Sequence, residues 1–89
     1  MIERELLISN RLGLHARATA KLVQVLSGFR CNATLTAKSR EVNAKSIMGV
    51  MLLAAGMGTP VLLRVDGDDE ADAAAAVTDL FERRFDEDG

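Results

Sequence analysis

His15 is the only histidine among the 89 residues of this sequence, and Arg17 follows it two positions later. A neutral imidazole nitrogen is a nucleophile near neutral pH, and the forked guanidinium of arginine fits the oxygens of a phosphate. The pair is therefore a candidate site for transient phosphorylation, with His15 as the phosphoryl acceptor and Arg17 stabilising the phosphate. A His-x-Arg tripeptide alone is a weak signal, so the elements that position it must support the interpretation.

The residues around His15 predict a loop that leads into a helix. A strand-like apolar run precedes it, followed by residues typical of loops (Leu6 to Ile8, then Ser9, Asn10 and Gly13). After it come helix-forming residues with an apolar repeat at helical spacing (Ala16, Ala20, Val23 and Leu26). The first N–H groups of a helix have no internal partner and attract anions. We therefore predict that the backbone N–H groups of Ala16 and Arg17 bind the phosphoryl oxygens, and that Thr19 is ordinary helix surface.

A second segment of interest begins at Ser46, whose hydroxyl can cap a short helix that runs to about Ala54. Capping is the usual role of an isolated serine at such a position. Some apolar residues of this helix must face the core, and any left outside would form a partner-binding patch beside His15, with Met48 the best candidate. The sequence equally allows all of them to be core residues. The residues concerned are Ile47, Met48, Met51 and Leu52. Lys45 is expected to be a solvated cation.

The remaining pattern predicts the order β-α-β-β-α-β-α. Inward-facing residues alternate in two strands (Cys31, Ala33, Leu35 and Ala37, then Val61, Leu63 and Val65). Glycines are predicted to end the first two helices (Gly28, then Gly56 and Gly58). The last helix is expected to begin after Asp68 or Asp69 and continue to about Phe85, with Arg83 and Arg84 in its last turn and a buried face of Ala73, Val77, Leu80 and Phe81. This is an α/β (α+β) two-layer open-faced sandwich, with a mostly antiparallel four-stranded sheet and three helices on one face.

Composition excludes several classes of function. Residues 1–89 are the size of a single domain, and a net charge of −2 gives no electrostatic footprint for nucleic acid. Cys31 is the only cysteine, so we expect neither a disulfide nor a metal site, and no cofactor. The sequence has no secretory signal, and its longest apolar stretch is too short to span a membrane, so we expect a cytoplasmic protein without membrane insertion. It also has no phosphate-binding glycine motif and no catalytic triad, which indicates a carrier and not an enzyme.

Two segments resemble the histidine-containing phosphocarrier (HPr) family of the bacterial phosphoenolpyruvate:sugar phosphotransferase system. Residues 13–23, Gly-Leu-His-Ala-Arg-Ala-Thr-Ala-Lys-Leu-Val, resemble its active-site signature, and residues 43–56 resemble its regulatory serine segment. The resemblance covers nearly the whole chain, although Ala18 stands where many members have proline. It implies sheet order 1-4-2-3, phosphorylation of His15 by enzyme I, transfer to enzyme IIA domains, and phosphorylation of Ser46 by an HPr serine kinase/phosphorylase.

Two alternatives remain open at this point. The chain could be a carrier of a nitrogen-regulating branch, or a regulatory binding module that acts through phosphorylated Ser46 while His15 is incidental. The presence of both His15 and Arg17 favours a carrier. An acyl carrier is disfavoured because such domains are helical bundles, whereas this sequence shows clear strand alternation. We expect a monomer.

Overall fold

The computed structural model describes residues 1–87. Four strands and three helices follow the predicted order, and a short 3-10 turn comes after the last helix. Their bounds are β1 (Ile2–Leu7), α1 (Ala16–Ser27), β2 (Asn32–Ala37), β3 (Arg40–Asn43), α2 (Ile47–Leu52), β4 (Pro60–Asp66), α3 (Glu70–Glu82) and the 3-10 turn (Arg84–Asp86). The predicted fold class is confirmed.

The four strands form one sheet in the order β1-β4-β2-β3, and all three pairings are antiparallel. The register pairs Leu6 with Val61 and Leu35 with Leu63, which places their side chains on one face. That face is buried beneath the helices, and the other face carries mainly polar side chains. The alternation predicted for β2 and β4 is correct: Ala33, Leu35, Ala37, Val61, Leu63 and Val65 are all buried.

The buried face of α1 differs from the apolar repeat found in the sequence. The residues that reach the core are Ala18, Thr19, Leu22 and Leu26, whereas Ala16 and Ala20 are exposed. Alanine is a poor guide to the buried face of a helix, because its small side chain is tolerated on either face. The buried face predicted for α3 is correct, since Ala73, Val77, Leu80 and Phe81 are all buried.

Two helices end earlier than predicted. Helix α2 stops at Leu52, and the chain reverses at Ala54 with φ +48°, before it reaches Gly56 or Gly58. Helix α3 stops at Glu82, so Arg83 and Arg84 do not lie in its last turn. The chain then enters a left-handed segment in which the Phe85 side chain is buried against Phe81, with ring centroids 4.9 Å apart.

Asp69 links the start of α3 to the loop before β2. It occupies the N-cap position without a side-chain capping bond, and its carboxylate instead accepts hydrogen bonds from the backbone N–H groups of Arg30 and Cys31. The bond from Arg30 is the main cause that lowers the pKa of Asp69. Within residues 1–87, none of the helices is both long enough and apolar enough to cross a bilayer.

Candidate functional site

Backbone contacts fix the loop that carries His15 against the chain that follows α2. The N–H of Leu14 donates to the carbonyl of Ala55 at 2.9 Å. Gly13 has φ +68°, and a Cβ at this position would lie 2.5 Å from the same carbonyl oxygen. Only glycine combines this backbone angle with so close an approach. The position of His15 therefore depends on the packing of the loop against the chain that follows α2.

His15 is the N-cap residue of α1, and its backbone is extended (φ −79°, ψ −177°). Its Nδ1 atom accepts a long hydrogen bond, 3.4 Å, from the backbone N–H of Arg17. Its Nε2 atom lies 2.6 Å from Oε2 of Glu87. Because an ionised carboxylate can only accept, Nε2 carries the proton and Nδ1 has the lone pair. The nucleophilic nitrogen thus faces the N-terminus of α1.

Asn10 and His15, which both precede α1, hold the carboxylate of Glu87. Its Oε1 accepts from Asn10 Nδ2 at 2.9 Å while its Oε2 accepts from His15, and its side chain is only 10% exposed. Burial raises the pKa of this carboxyl, but the hydrogen bonds from Asn10 and His15, the charge of a protonated His15 and the charge of Arg17 together lower it by more. The net pKa lies below that of an ordinary glutamate, so the carboxylate is ionised at neutral pH.

The predicted phosphate-binding residues lie together at the first turn of α1. Ala16 and Arg17 are exposed, so an anion in solvent can reach them. Within residues 1–87, no hydrogen bond or salt bridge engages the Arg17 guanidinium. The prediction for Thr19 is wrong: it is fully buried, and its Oγ1 donates to the carbonyl of Leu14 at 3.2 Å. Thr19 therefore fixes the end of the loop that carries His15 through this hydrogen bond to Leu14.

Ser46 has the capping role that its position predicted. Its Oγ accepts from the N–H of Gly49 at 3.1 Å, and the side chain remains partly exposed. A Cβ on Gly49 would lie 3.3 Å from this Oγ, so glycine leaves room for the hydroxyl. The solvated role expected for Lys45 is wrong, because its ammonium donates to the carbonyl of Phe29 at 2.7 Å and ties two loops together.

The apolar residues of α2 point mostly into solvent, and Val50 is the buried one. Helix α2 packs beside α1, so these side chains flank the helix that begins after His15. Leu12, in the loop before His15, adds a further exposed side chain. We call the five residues Leu12, Ile47, Met48, Met51 and Leu52 the apolar patch. Their exposed fractions are 65%, 46%, 78%, 43% and 62%, in that order.

Sequence reasoning missed Asn10 and Glu87 as members of the site. From the sequence, Asn10 is predicted only as a loop former, although an asparagine three positions before a glycine is typical of a turn whose backbone the side chain binds. Glu87 offered no signal, since it is one of several acids near the end of the chain. In the part of the chain that the structure describes, no group of three or more His, Cys, Asp or Glu residues is arranged to hold a metal ion.

Comparisons with known proteins agree on one family. Residues 2–83 match the family described as "PTS HPr component phosphorylation site". The phosphocarrier protein HPr of Xylella fastidiosa strain 9a5c is 64% identical over 88 residues, covering 99% of both chains. A crystal structure of HPr from Thermoanaerobacter tengcongensis, HPr-C-His, has a TM-score of 0.96 at 43% identity and covers 100% of both chains. An HPr dimer from the same organism has a TM-score of 0.79 at 44% identity, covering 98% of this chain and 100% of that one.

Proposed function

The chain belongs to the HPr family of phosphocarrier proteins of the phosphotransferase system, and from this membership we propose that it accepts a phosphoryl group on His15 and passes it to another protein. The observation that carries the proposal is the placement of His15 Nδ1. This nitrogen has the lone pair, lies at the N-terminus of α1, and belongs to a side chain that is 26% exposed. A donor protein could therefore bring phosphorus to it without opening the fold.

The phosphoryl group would be stabilised mainly by groups already in place. The N-terminus of α1 offers the N–H groups of Ala16 and Arg17 and the positive end of the helix dipole. The guanidinium of Arg17 is exposed and always charged, and it can bind two phosphate oxygens at once. These contacts act on a phosphate at the surface, where the donor and the acceptor can reach it in turn.

The donor we propose is enzyme I, charged by phosphoenolpyruvate, and the acceptors are enzyme IIA domains. The apolar patch supports their binding, since four of its five exposed side chains lie on one short helix, and apolar side chains exposed together mark interaction sites. Met48 and Met51 are flexible and can adapt to partners of different shape. We propose that residues 1–89 act as one monomeric carrier domain in the cytoplasm and that the partners supply most of the catalytic groups.

Ser46 is proposed as a second, regulatory site that an HPr serine kinase/phosphorylase phosphorylates. Its hydroxyl is partly exposed, and its neighbours in sequence belong to the apolar patch. A phosphate adds a charge of about −1.5 to −2 at neutral pH. If the partner surface is acidic, that charge repels the partner and slows association.

Incubation with enzyme I and phosphoenolpyruvate, followed by intact mass measurement, tests the carrier function. We expect one added phosphate that is lost in acid, as a phosphohistidine is, and none in His15→Ala. Circular dichroism of the variant must show an intact fold. Acid-stable phosphate, or labelling that survives in His15→Ala, would refute the assignment of His15.

A further inference from the structure

We propose that Glu87 is a positioning residue for phosphoryl transfer: held by Asn10, its carboxylate binds Nε2–H of His15 and so presents Nδ1 to the phosphoryl donor. The inference rests on the proposed carrier function and adds a residue to it. Glu87 lies outside residues 2–83, the part of the chain matched by the family, and 72 positions from His15 in sequence.

The two contacts of the imidazole ring require the same tautomer. Nε2 must be protonated to donate to the Glu87 carboxylate at 2.6 Å, and Nδ1 must be unprotonated to accept from Arg17 N–H at 3.4 Å. A free neutral imidazole exchanges between two tautomers, and only one has its lone pair on the helix side. The short bond to Glu87 selects that tautomer and also fixes the rotation of the ring.

Asn10 determines how Glu87 meets the ring. Asn10 is completely buried, and its Nδ2 donates both to Gly13 O at 2.8 Å and to Glu87 Oε1 at 2.9 Å. Its amide cannot be flipped without turning Oδ1 toward the carboxylate, where two acceptors would face each other. Asn10 Oδ1 has no hydrogen-bond partner within the described residues. The amide is thus oriented by its two donor bonds, one to the His15 loop and one to Glu87.

The backbone before Glu87 has an unfavourable conformation, and this conformation places Glu87 beside His15. Arg84, Phe85 and Asp86 all have left-handed φ values, 55°, 55° and 61°. This conformation is costly for residues with a Cβ, and it persists only where other contacts determine it. Here the buried Phe85 ring and a 2.8 Å hydrogen bond from Lys21 Nζ to the Phe85 carbonyl hold the segment against α1. Lys21 therefore links the segment to the same helix that begins after His15.

The carboxylate is suited to the charge that develops during transfer. The Nδ1 lone pair forms a bond to phosphorus, while the bond from phosphorus to the phosphorylated side chain of the donor protein breaks and returns its electron pair to that side chain. Nε2 keeps its proton, so the ring gains positive charge as the new bond forms. Glu87 faces that charge directly and stabilises it, as a buried carboxylate behind a catalytic histidine does. Transfer to the acceptor reverses these steps.

The test compares Glu87→Ala and Glu87→Gln with Glu82→Gln, which removes one negative charge from an exposed position on α3. The ring nitrogens of His15 are observed by ¹⁵N NMR in the unphosphorylated proteins, in mildly alkaline solution. The same proteins are then phosphorylated by enzyme I under single-turnover conditions. Thermal unfolding shows whether each variant remains folded.

We expect one tautomer, protonated at Nε2, in the wild-type protein and in Glu82→Gln, and a mixture in Glu87→Ala. The transfer rate of Glu87→Ala should fall by about tenfold, as when the partner behind a functional histidine is removed, with a smaller loss in Glu87→Gln. An unchanged tautomer, or a rate equal to or above that of Glu82→Gln, would overturn the proposal. If the wild-type protein accepts no phosphate, the carrier function fails instead, and the tautomer measurement still decides whether Glu87 orients the ring.

Discussion

The Nε2 atom of His15 and the Oε2 atom of Glu87 lie 2.6 Å apart, although the two residues are 72 positions apart in the sequence. One belongs to the loop before α1, and the other follows the 3-10 turn after α3. The contact connects the chemistry of the site to the last part of the chain that the structure describes. It also gives the site a dependence on pH that can be measured.

Acid should weaken the attachment of Glu87. A carboxyl whose pKa is lowered by folding stabilises the folded state above its ordinary value of about 4.3, and the contribution disappears as the pH falls through the lower folded value. The unfolding free energy of the wild-type protein should exceed that of Glu87→Gln at neutral pH, and the difference should begin to shrink below about pH 4.3 and vanish only below the lower folded pKa. A difference that stays constant down to strong acid would contradict the ionised contact.

Gly13 should tolerate no side chain. Gly13→Ala would strain the positive φ and place its Cβ against the Ala55 carbonyl oxygen, at a cost of about 3 kcal/mol or more. Gly58→Ala is the matched control, because Gly58 has φ +86° but nothing within 4 Å of an added Cβ. That variant should lose only about 1 kcal/mol. Urea denaturation measures both, and equal losses would show that the close approach to Ala55 is unimportant.

The apolar patch should be needed for partner binding and not for folding. Leu52→Asp should slow phosphorylation by enzyme I by about tenfold, the effect of losing a hot-spot side chain. Leu7→Asp is the control, since Leu7 is 59% exposed and its register places it on the face of the sheet away from the helices. Both proteins should keep a thermal midpoint close to that of the wild type. Equal rates for the two variants would exclude the patch as the docking surface.

Ser46→Asp should act through charge. A carboxylate in place of the hydroxyl should slow association with enzyme I by about tenfold at low salt, and the effect should shrink as the salt concentration rises. Ser46→Asn provides a neutral residue of the same shape that can also cap α2. Stopped-flow association rates at several salt concentrations compare the two variants. If Ser46→Asn is slowed as much as Ser46→Asp, shape and not charge is responsible.

Local patterns predicted the fold better than they predicted the site. The alternation in β2 and β4 was sufficient because each strand has one buried and one wet face. The sheet order came from family resemblance, since no local pattern specifies which strands pair. The left-handed segment at Arg84–Asp86 contains no glycine to signal it, and the helical pattern of α3 runs into it without a break. The position of Glu87 follows from that segment, so it could not be read from the sequence.

Two polar side chains with tertiary contacts show the same limit. Thr19 and Lys45 each look like surface residues in sequence, yet both bind backbone carbonyls of neighbouring loops. Lys45 binds a residue 16 positions away, and Thr19 is buried because α1 packs on the core, so both roles exist only after folding. Ser46 was predictable because its capping partner, the Gly49 N–H, lies three residues away and requires no tertiary structure.

The most direct test of the proposed role of His15 is to identify the ring atom that carries phosphorus. Protein labelled with ¹⁵N is phosphorylated by enzyme I and phosphoenolpyruvate, and the coupling of the ring nitrogens to ³¹P is measured by NMR. We expect phosphorus on Nδ1, at the N-terminus of α1, with a proton retained on Nε2 beside Glu87. Phosphorus on Nε2, or on a residue other than His15, would contradict this expectation.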